Sequence, residues 1–413
     1  MSWRLVVLGV LVLAIDTTLA TSCPQSPQHV QIPNSFTEIV ASAYAQCPNV
    51  LSLDFEANST LKTIGNYSFF QARDLTGNLT IPSSVTEIGI EAFRETAITG
   101  LKFEANSVLK TIGTRSFNQA VDLTGNLTIP STVTEIGDGA FYETAITGLS
   151  FEANSNLVTI GQFAFAYASN LAGSLTIPSS VKTTGSQAFA STAITSLSFE
   201  ANSILETIGQ FAFAYASNLA GSLTIPSSVT EIGNGAFFYT KITSVTIPDS
   251  VKFIGTNVFT GCTHLSRVIV SGDNNLLSGT SSSNLVETLC SLGENSCIEG
   301  NGNRASNIIN HVNNTCGLNH CGTPTSAPTS PPTSAPTSPP TSVPTSPPTS
   351  APRSTSADSD TDDDTLGVGA IVGISLGGAA LLGGIVWFLR HRMREPIRAR
   401  IAHATVRVGE LFF

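Results

Sequence analysis

The chain has 413 residues, 41% of them apolar, and carries a net charge of −10 from 19 basic and 29 acidic side chains. Such apolar content can bury a large core. The acidic balance argues against nucleic acid or an anionic membrane surface as partner, the more so because six Arg but only two Glu lie in 390–413 and leave the rest more acidic still.

Residues 1–20 read as a secretory signal, with Arg4 as the positive start, Leu5–Ile15 as the apolar stretch and Thr18-Leu19-Ala20 as a small-residue cleavage site. Residues 21–52 are expected to cap the array that follows, since a stacked array must cover its first apolar face. The array, residues 53–270, is built on a unit of 48 residues that starts at Leu79, Leu127, Leu175 and Leu223, with a partial copy from Leu53. Inside it, Ile-Gly with an aromatic five positions after the Ile recurs in steps of 24: Ile64/Phe69, Ile88/Phe93, Ile112/Phe117, Ile136/Phe141, Ile160/Phe165, Ile208/Phe213 and Ile232/Phe237. Thr184/Phe189 keeps the register with Thr for Ile. A degenerate copy, Ile39/Tyr44, precedes the series, and Ile254/Phe259 closes it. A fixed period of this size is the signature of a solenoid.

Each half-unit reads the same way. Leu79-Thr80-Ile81 alternates as a strand with one buried face does, and Pro82 ends its ladder. Val85, Ile88 and Phe93 are apolar spacers, and Gly89 is expected to supply a permissive backbone. The second half-unit opens at Leu101-Lys102-Phe103 and has two extra residues before its Ile-Gly and two after its Phe. Strand starts therefore step 22 and then 26. Thr159–Val181 and Thr207–Val229 are identical over 23 residues, which points to internal duplication.

The string LTIPSSVTEIGxxAF resembles the BspA-like leucine-rich repeat, known also from treponemal surface proteins. The resemblance runs from about Val30 to Val270. It implies a β-rich (α/β-type) leucine-rich-repeat solenoid of about ten short strands, outside the cell, used in adhesion or recognition, with no catalytic residue to carry over. The family's usual Cys after the Phe survives here only at Cys47 and Cys262; Thr or Ala fills the position elsewhere.

Residues 271–322 lose the repeat and carry Cys290, Cys297, Cys316 and Cys321, expected to staple a C-terminal cap. One pairing that accounts for all seven cysteines joins Cys23 to Cys47, makes two bridges from the last four and leaves Cys262 a buried thiol. Zinc held by Cys316, His320 and Cys321 is the alternative. Residues 323–365 form a Pro/Thr/Ser-rich stalk with an acidic end, extended and suited to O-glycosylation. Residues 366–389 lack charge and are long enough to cross a bilayer; the Arg-rich tail, 390–413, then lies in the cytosol, giving a single-pass type I protein of the plasma membrane. Gly369, Gly373 and Gly377 share a face of that helix and could pack a homodimer.

No catalytic constellation is legible, and no cofactor or metal is expected. His29, His264, His311 and His320 are scattered. Ser179-Ser-Val-Lys182 matches the Ser-x-x-Lys pattern of penicillin-binding enzymes without its companion motifs. Asp358–Asp362 lacks the Gly and distal Glu of a calcium loop. The candidate ligand face is the outward side of the strands: Thr80, Lys102, Glu104, Thr128, Ser150, Glu152, Thr176, Ser198, Glu200 and Thr224. Glu56, Glu104, Glu152 and Glu200 would form an acidic file there. A periodic face rich in hydroxyls and carboxylates suits an extracellular polysaccharide or protein, with a passive surface coat and a receptor signalling through a partner as the other readings. Asn58, Asn106, Asn154 and Asn202 are expected to hydrogen-bond turn backbones. Asn58, Asn66, Asn78, Asn126 and Asn313 stand in sequons for N-glycosylation.

Overall fold

The computed structural model describes residues 23–270, 284, 297–300 and 319–320. The expected signal, stalk, membrane helix with its glycine stripe, and tail lie outside the described residues, as do Cys290, Cys316, Cys321 and Asn313. Among the described residues no helix is long and apolar enough to cross a membrane.

In chain order the strands are β1 (Gln28–Ile32), β2 (Glu38–Ile39), β3 (Val50–Phe55), β4 (Thr63–Ile64), β5 (Thr76–Ile81), β6 (Glu87–Ile88), β7 (Ala97–Phe103), β8 (Thr111–Ile112), β9 (Thr124–Ile129), β10 (Glu135–Ile136), β11 (Ala145–Phe151), β12 (Thr159–Ile160), β13 (Ala172–Ile177), β14 (Thr183–Thr184), β15 (Ala193–Phe199), β16 (Thr207–Ile208), β17 (Ala220–Thr224), β18 (Glu231–Ile232), β19 (Lys241–Ile247), β20 (Phe253–Ile254), β21 (Arg267–Val270), β22 (Cys297–Gly300) and β23 (Asn319–His320). Every pairing is parallel. Each half-unit thus contributes two strands where one was expected, a long one and a two-residue one, so a rung has three sides.

The long strands form the first side, and their sheet is broken. β5 pairs with β7 through Leu79↔Leu101 and Thr80↔Lys102, partners 22 residues apart. β1 with β3, β9 with β11 and β13 with β15 pair likewise, and β17, β19, β21, β22 and β23 make a continuous sheet. Where strand starts step 26, from β3 to β5, β7 to β9, β11 to β13 and β15 to β17, no ladder forms. The extra residues of the second half-unit lengthen its corners, and neighbouring strands there are not brought into register. The Cys297 strand extends the sheet past the repeats, and Cys297 is disulfide-bonded.

The two-residue strands form the second side, one ten-stranded sheet in the order β2-β4-β6-β8-β10-β12-β14-β16-β18-β20. Ile136 pairs with Ile112 below and Ile160 above. Thr184 substitutes for Ile without breaking the ladder, because its buried hydroxyl accepts the Gly209 amide at 3.3 Å. The glycine after each Ile serves a purpose other than the one expected. It has no left-handed φ; instead a Cβ on Gly137 would lie 2.5 Å from the Thr114 nitrogen of the previous rung. Glycine is required by close approach of backbones.

The third side is a run of turns, and here the α/β expectation fails: no helix forms between residues 23 and 270. Left-handed residues recur four positions apart instead. Glu91 and Glu95, Arg115 and Gln119, and Phe163 and Tyr167 all have φ between 52° and 60°. Alternate amides then point along the array and bond to the next rung: Glu91 N–H to Thr114 O (2.9 Å), Phe93 to Ser116 (2.7 Å), Glu95 to Asn118 (2.9 Å). The left-handed conformations cost roughly 1–2 kcal/mol each, and this third ladder of inter-rung hydrogen bonds offsets them.

The core runs the length of the array. Leu79, Ile81, Val85, Ile88, Ala92 and Phe93 point inward in one rung, and each neighbour repeats the set. Its axis is a column of rings from Tyr44 through Phe69, Phe93, Phe117, Phe141, Phe165, Phe189, Phe213 and Phe237 to Phe259. Successive centroids lie 5.1–5.7 Å apart with planes within 10° of parallel. That spacing exceeds the rung spacing of about 4.8 Å, so the rings stack with an offset, as aromatic quadrupoles prefer. Residues 28–47, within the expected cap, already form the first rung. A disulfide between Cys23 and Cys47 ties its entry strand down.

Candidate ligand-binding face

The residues expected on the outward side of the long strands are there. Thr80, Lys102, Thr128, Ser150, Thr176, Ser198 and Thr224 are exposed, with Glu104, Glu152 and Glu200 just past the strand ends. They do not form one continuous file. Thr128 and Ser150 meet at 3.0 Å and Thr176 and Ser198 at 2.9 Å across hydrogen-bonded pairs, and then the sheet breaks.

At the break between β15 and β17 lies an open cleft of about 410 Å³. It is lined by Ser198, half-buried Phe199, Glu200, Asn202, Thr224 and Pro226. The same residue types recur at the other breaks: Phe55, Glu56, Asn58, Thr80 and Pro82; Phe103, Glu104, Asn106, Thr128 and Pro130; Phe151, Glu152, Asn154, Thr176 and Pro178. Each of these Phe rings is partly buried against the core. The array therefore repeats one apolar edge, one carboxylate, one amide and one hydroxyl every two rungs.

The glutamates have a structural duty that the sequence did not reveal. Glu104 accepts the Ser83 amide at 2.8 Å, Glu152 the Ser131 amide at 2.8 Å, Glu200 the Ser179 amide at 2.9 Å and Glu56 the Asn34 amide at 3.1 Å. Each carboxylate holds the turn after the partner strand, so paired half-units are joined at strand and turn alike. Among the described residues no group of three or more metal-ligating side chains occurs, and the acidic file is a row of turn caps.

The asparagines expected to bond turn backbones supply conformation instead. Asn58, Asn106, Asn154 and Asn202 are exposed, with φ of 57° to 61°. Asparagine tolerates this region and alanine does not. We expect Asn154→Ala to cost about 1–2 kcal/mol and Asn154→Gly to be near neutral, read as shifts in a urea midpoint. Backbone bonding falls to Asn66, whose Oδ1 accepts the Ile90 amide at 2.7 Å; Asp138 and Asn234 do the same for Gln162 and Thr256. Asn78 and Asn126 stand exposed on the long strands opposite Gly100 and Gly148. A Cβ on Gly148 would sit 2.5 Å from Asn126 Oδ1. Later units use Ser174–Ser196 and Ser222–Ser244, each hydrogen-bonded at 2.7 Å. Small residues are thus exchanged in pairs.

Cys262 is a free, buried thiol that donates to Phe237 O at 3.1 Å and meets Thr240 Oγ1 at 3.2 Å. Burial pushes its pKa up, so it is an unreactive core group. His29 meets Ser52 at 2.6 Å and Asp54 at 3.4 Å on the exposed side of the first pair. Lys182 is exposed on a corner of the array.

No curated protein sequence matches the chain. Solved structures similar to it include the pneumococcal vaccine antigen PcpA, at 17% identity and a TM-score of 0.42 over 72% of this chain and 80% of that one. A leucine-rich cell surface protein from Faecalibacterium prausnitzii is 23% identical, with a TM-score of 0.32 over 60% and 80%. The leucine-rich repeat protein of T. pallidum is 17% identical, with a TM-score of 0.28 over 59% and 79%. The model of the BspA type leucine-rich repeat region matches residues 22–124, 101–204, 136–266 and 197–284. Those matches together span residues 22–284, well over half of the 413 residues: the chain belongs to the BspA-type leucine-rich repeat family.

Proposed function

We propose that this is a cell-surface recognition or adhesion protein that binds an extracellular polysaccharide through the clefts between its strand pairs. The observation that carries the reading is the recurrence, at four breaks in the sheet, of the residue types that line the cleft between β15 and β17. Two rungs span roughly 10 Å, so an extended polymer laid along the array meets equivalent groups at a fixed period. Each contact is shallow, and avidity along the array supplies affinity. The secretory signal, stalk and membrane helix expected from the sequence would present this face outside the plasma membrane. Nothing in the reading requires a catalytic group or a cofactor.

The test is binding of the purified protein to immobilised polysaccharides and to intact cells. Ser150→Arg together with Ser198→Arg places a bulky cation in two clefts. These variants should lower avidity about tenfold or more at unchanged melting temperature. Glu104→Gln, Glu152→Gln and Glu200→Gln keep an acceptor for the turn amide and remove only charge, and so report whether the ligand feels the carboxylates. A folded protein that binds no polysaccharide and no cell would favour the passive coat; binding to a single protein would favour the receptor.

A further inference from the structure

The turn side changes character along the array. Its first rungs carry Arg73, Glu91, Arg94, Glu95, Arg115 and Glu143, joined by ion pairs such as Arg73–Glu95 at 2.7 Å and Arg94–Glu91 at 2.9 Å. From Gly161 to Thr240 the turn side holds no charged side chain, and exposed Lys241, which opens β19, stands at its edge. Its rows present Phe163, Tyr167, Phe211, Tyr215, Phe238 and Tyr239, with the amides of Gln162, Gln210 and Asn234 beside them.

The rings form a platform. Tyr215 and Tyr239 stack at 5.7 Å with 14° between planes, and are 54% and 52% exposed. Phe238 meets both edge-on, at 5.4 and 4.6 Å. Glycine lets the rings lie down. Phe211 covers Gly235, and a Cβ on Gly261 would meet the Tyr239 ring at 2.7 Å. Exact duplication places Phe163 and Tyr167 on the same rows two rungs earlier, where Tyr142 packs edge-on to both at 6.4 and 5.4 Å.

We propose that this platform is a second binding site, for a neutral, β-linked hexose polymer. A β-linked pyranose offers a ring face of axial C–H groups to stack on an aromatic face, with hydroxyls at its rim for neighbouring amides. Charge is confined to the margins, Glu143 beside Tyr142 and Lys241 after Tyr239, so an ionic polymer would lose hydration over the rings between them without a counter-charge. A strand-like peptide finds no free backbone to pair with: the Tyr215 and Tyr239 amides already bond Phe238 O and Thr260 O in the next rung. Two equivalent ring pairs about 10 Å apart suit alternate residues of an extended chain. The platform lies on a different side from the strand clefts, and the two proposals stand or fall separately.

The test titrates the purified full chain by calorimetry with cellohexaose as neutral probe and hexagalacturonate as acidic control. Wild type should bind cellohexaose. Tyr215→Ala with Tyr239→Ala should lose about tenfold or more in affinity, whereas Tyr215→Phe with Tyr239→Phe, which keeps both rings, should stay within about threefold. Dependence on Tyr215 and Tyr239, which lie on the turn side, separates this binding from that of the strand clefts. The proposal is overturned if folded wild type ignores cellohexaose, if the double alanine variant binds as well as wild type, or if hexagalacturonate binds equally. It is also overturned if wild type self-associates in sedimentation and the double alanine variant does not, for then a second copy of the chain covers the rings.

Discussion

Phe141→Ala will destabilise the array by about 3–5 kcal/mol, the cost of deleting a fully buried aromatic from a close-packed core. The ring stacks on Phe117 at 5.3 Å and Phe165 at 5.2 Å, so the substitution also removes two aromatic contacts worth about 0.5–1.5 kcal/mol apiece beyond burial. Neighbouring rungs are coupled only through their shared interface. The gap should therefore lower cooperativity as well as stability, dividing one unfolding transition into an early and a late half. Denaturant melts followed by circular dichroism, with hydrogen exchange on either side of the site, would show it. Phe141→Leu should recover most of the loss. A melt indistinguishable from wild type would mean that the ring column is not the axis of the core.

Breaking the bridge at the first rung, by Cys23→Ser with Cys47→Ser, should cost about 3 kcal/mol, the loop-closure value for a ring of this length. The expected loss differs in kind from that at Phe141. Cys23 lies before β1 and Cys47 at the end of the first rung, where, among the described residues, Tyr44 has a stacked ring on one side only, Phe69 at 5.1 Å. Residues 23–47 should exchange their amides faster while those from Phe93 onward keep their protection. Uniform acceleration along the whole array would show instead that the first rung nucleates the rest.

The contrast between these two sites shows what the sequence reveals. The ring column and the Ile-Gly ladder are legible because each places the same apolar residue at a step of 24, and a side chain that must meet its own copy has little freedom to vary. The turn side was not legible. Its left-handed positions are filled by Glu91, Arg115, Phe163 and Tyr215, residues that by themselves point away from that conformation; the inter-rung hydrogen bonds that reward it join residues about 23 positions apart. The same distance concealed the duty of Glu104, whose partner is the Ser83 amide of the preceding half-unit. The alternating steps of 22 and 26 were visible, yet their consequence, a sheet divided into pairs, depends on the geometry of two corners at once. The residues that alternation places outward are exposed as expected, but the division keeps them from forming one continuous file.

The division into pairs also governs how such a chain can change length. A single half-unit inserted by recombination would set two like corners side by side, pairing strands that belong apart or parting strands that belong together. A whole cassette of 48 residues restores every contact. The identity of Thr159–Val181 and Thr207–Val229 records such an event. Each cassette gained or lost changes the number of breaks by one, so under the proposed function alleles of different length would differ in valence towards a polymer while every individual contact stayed the same.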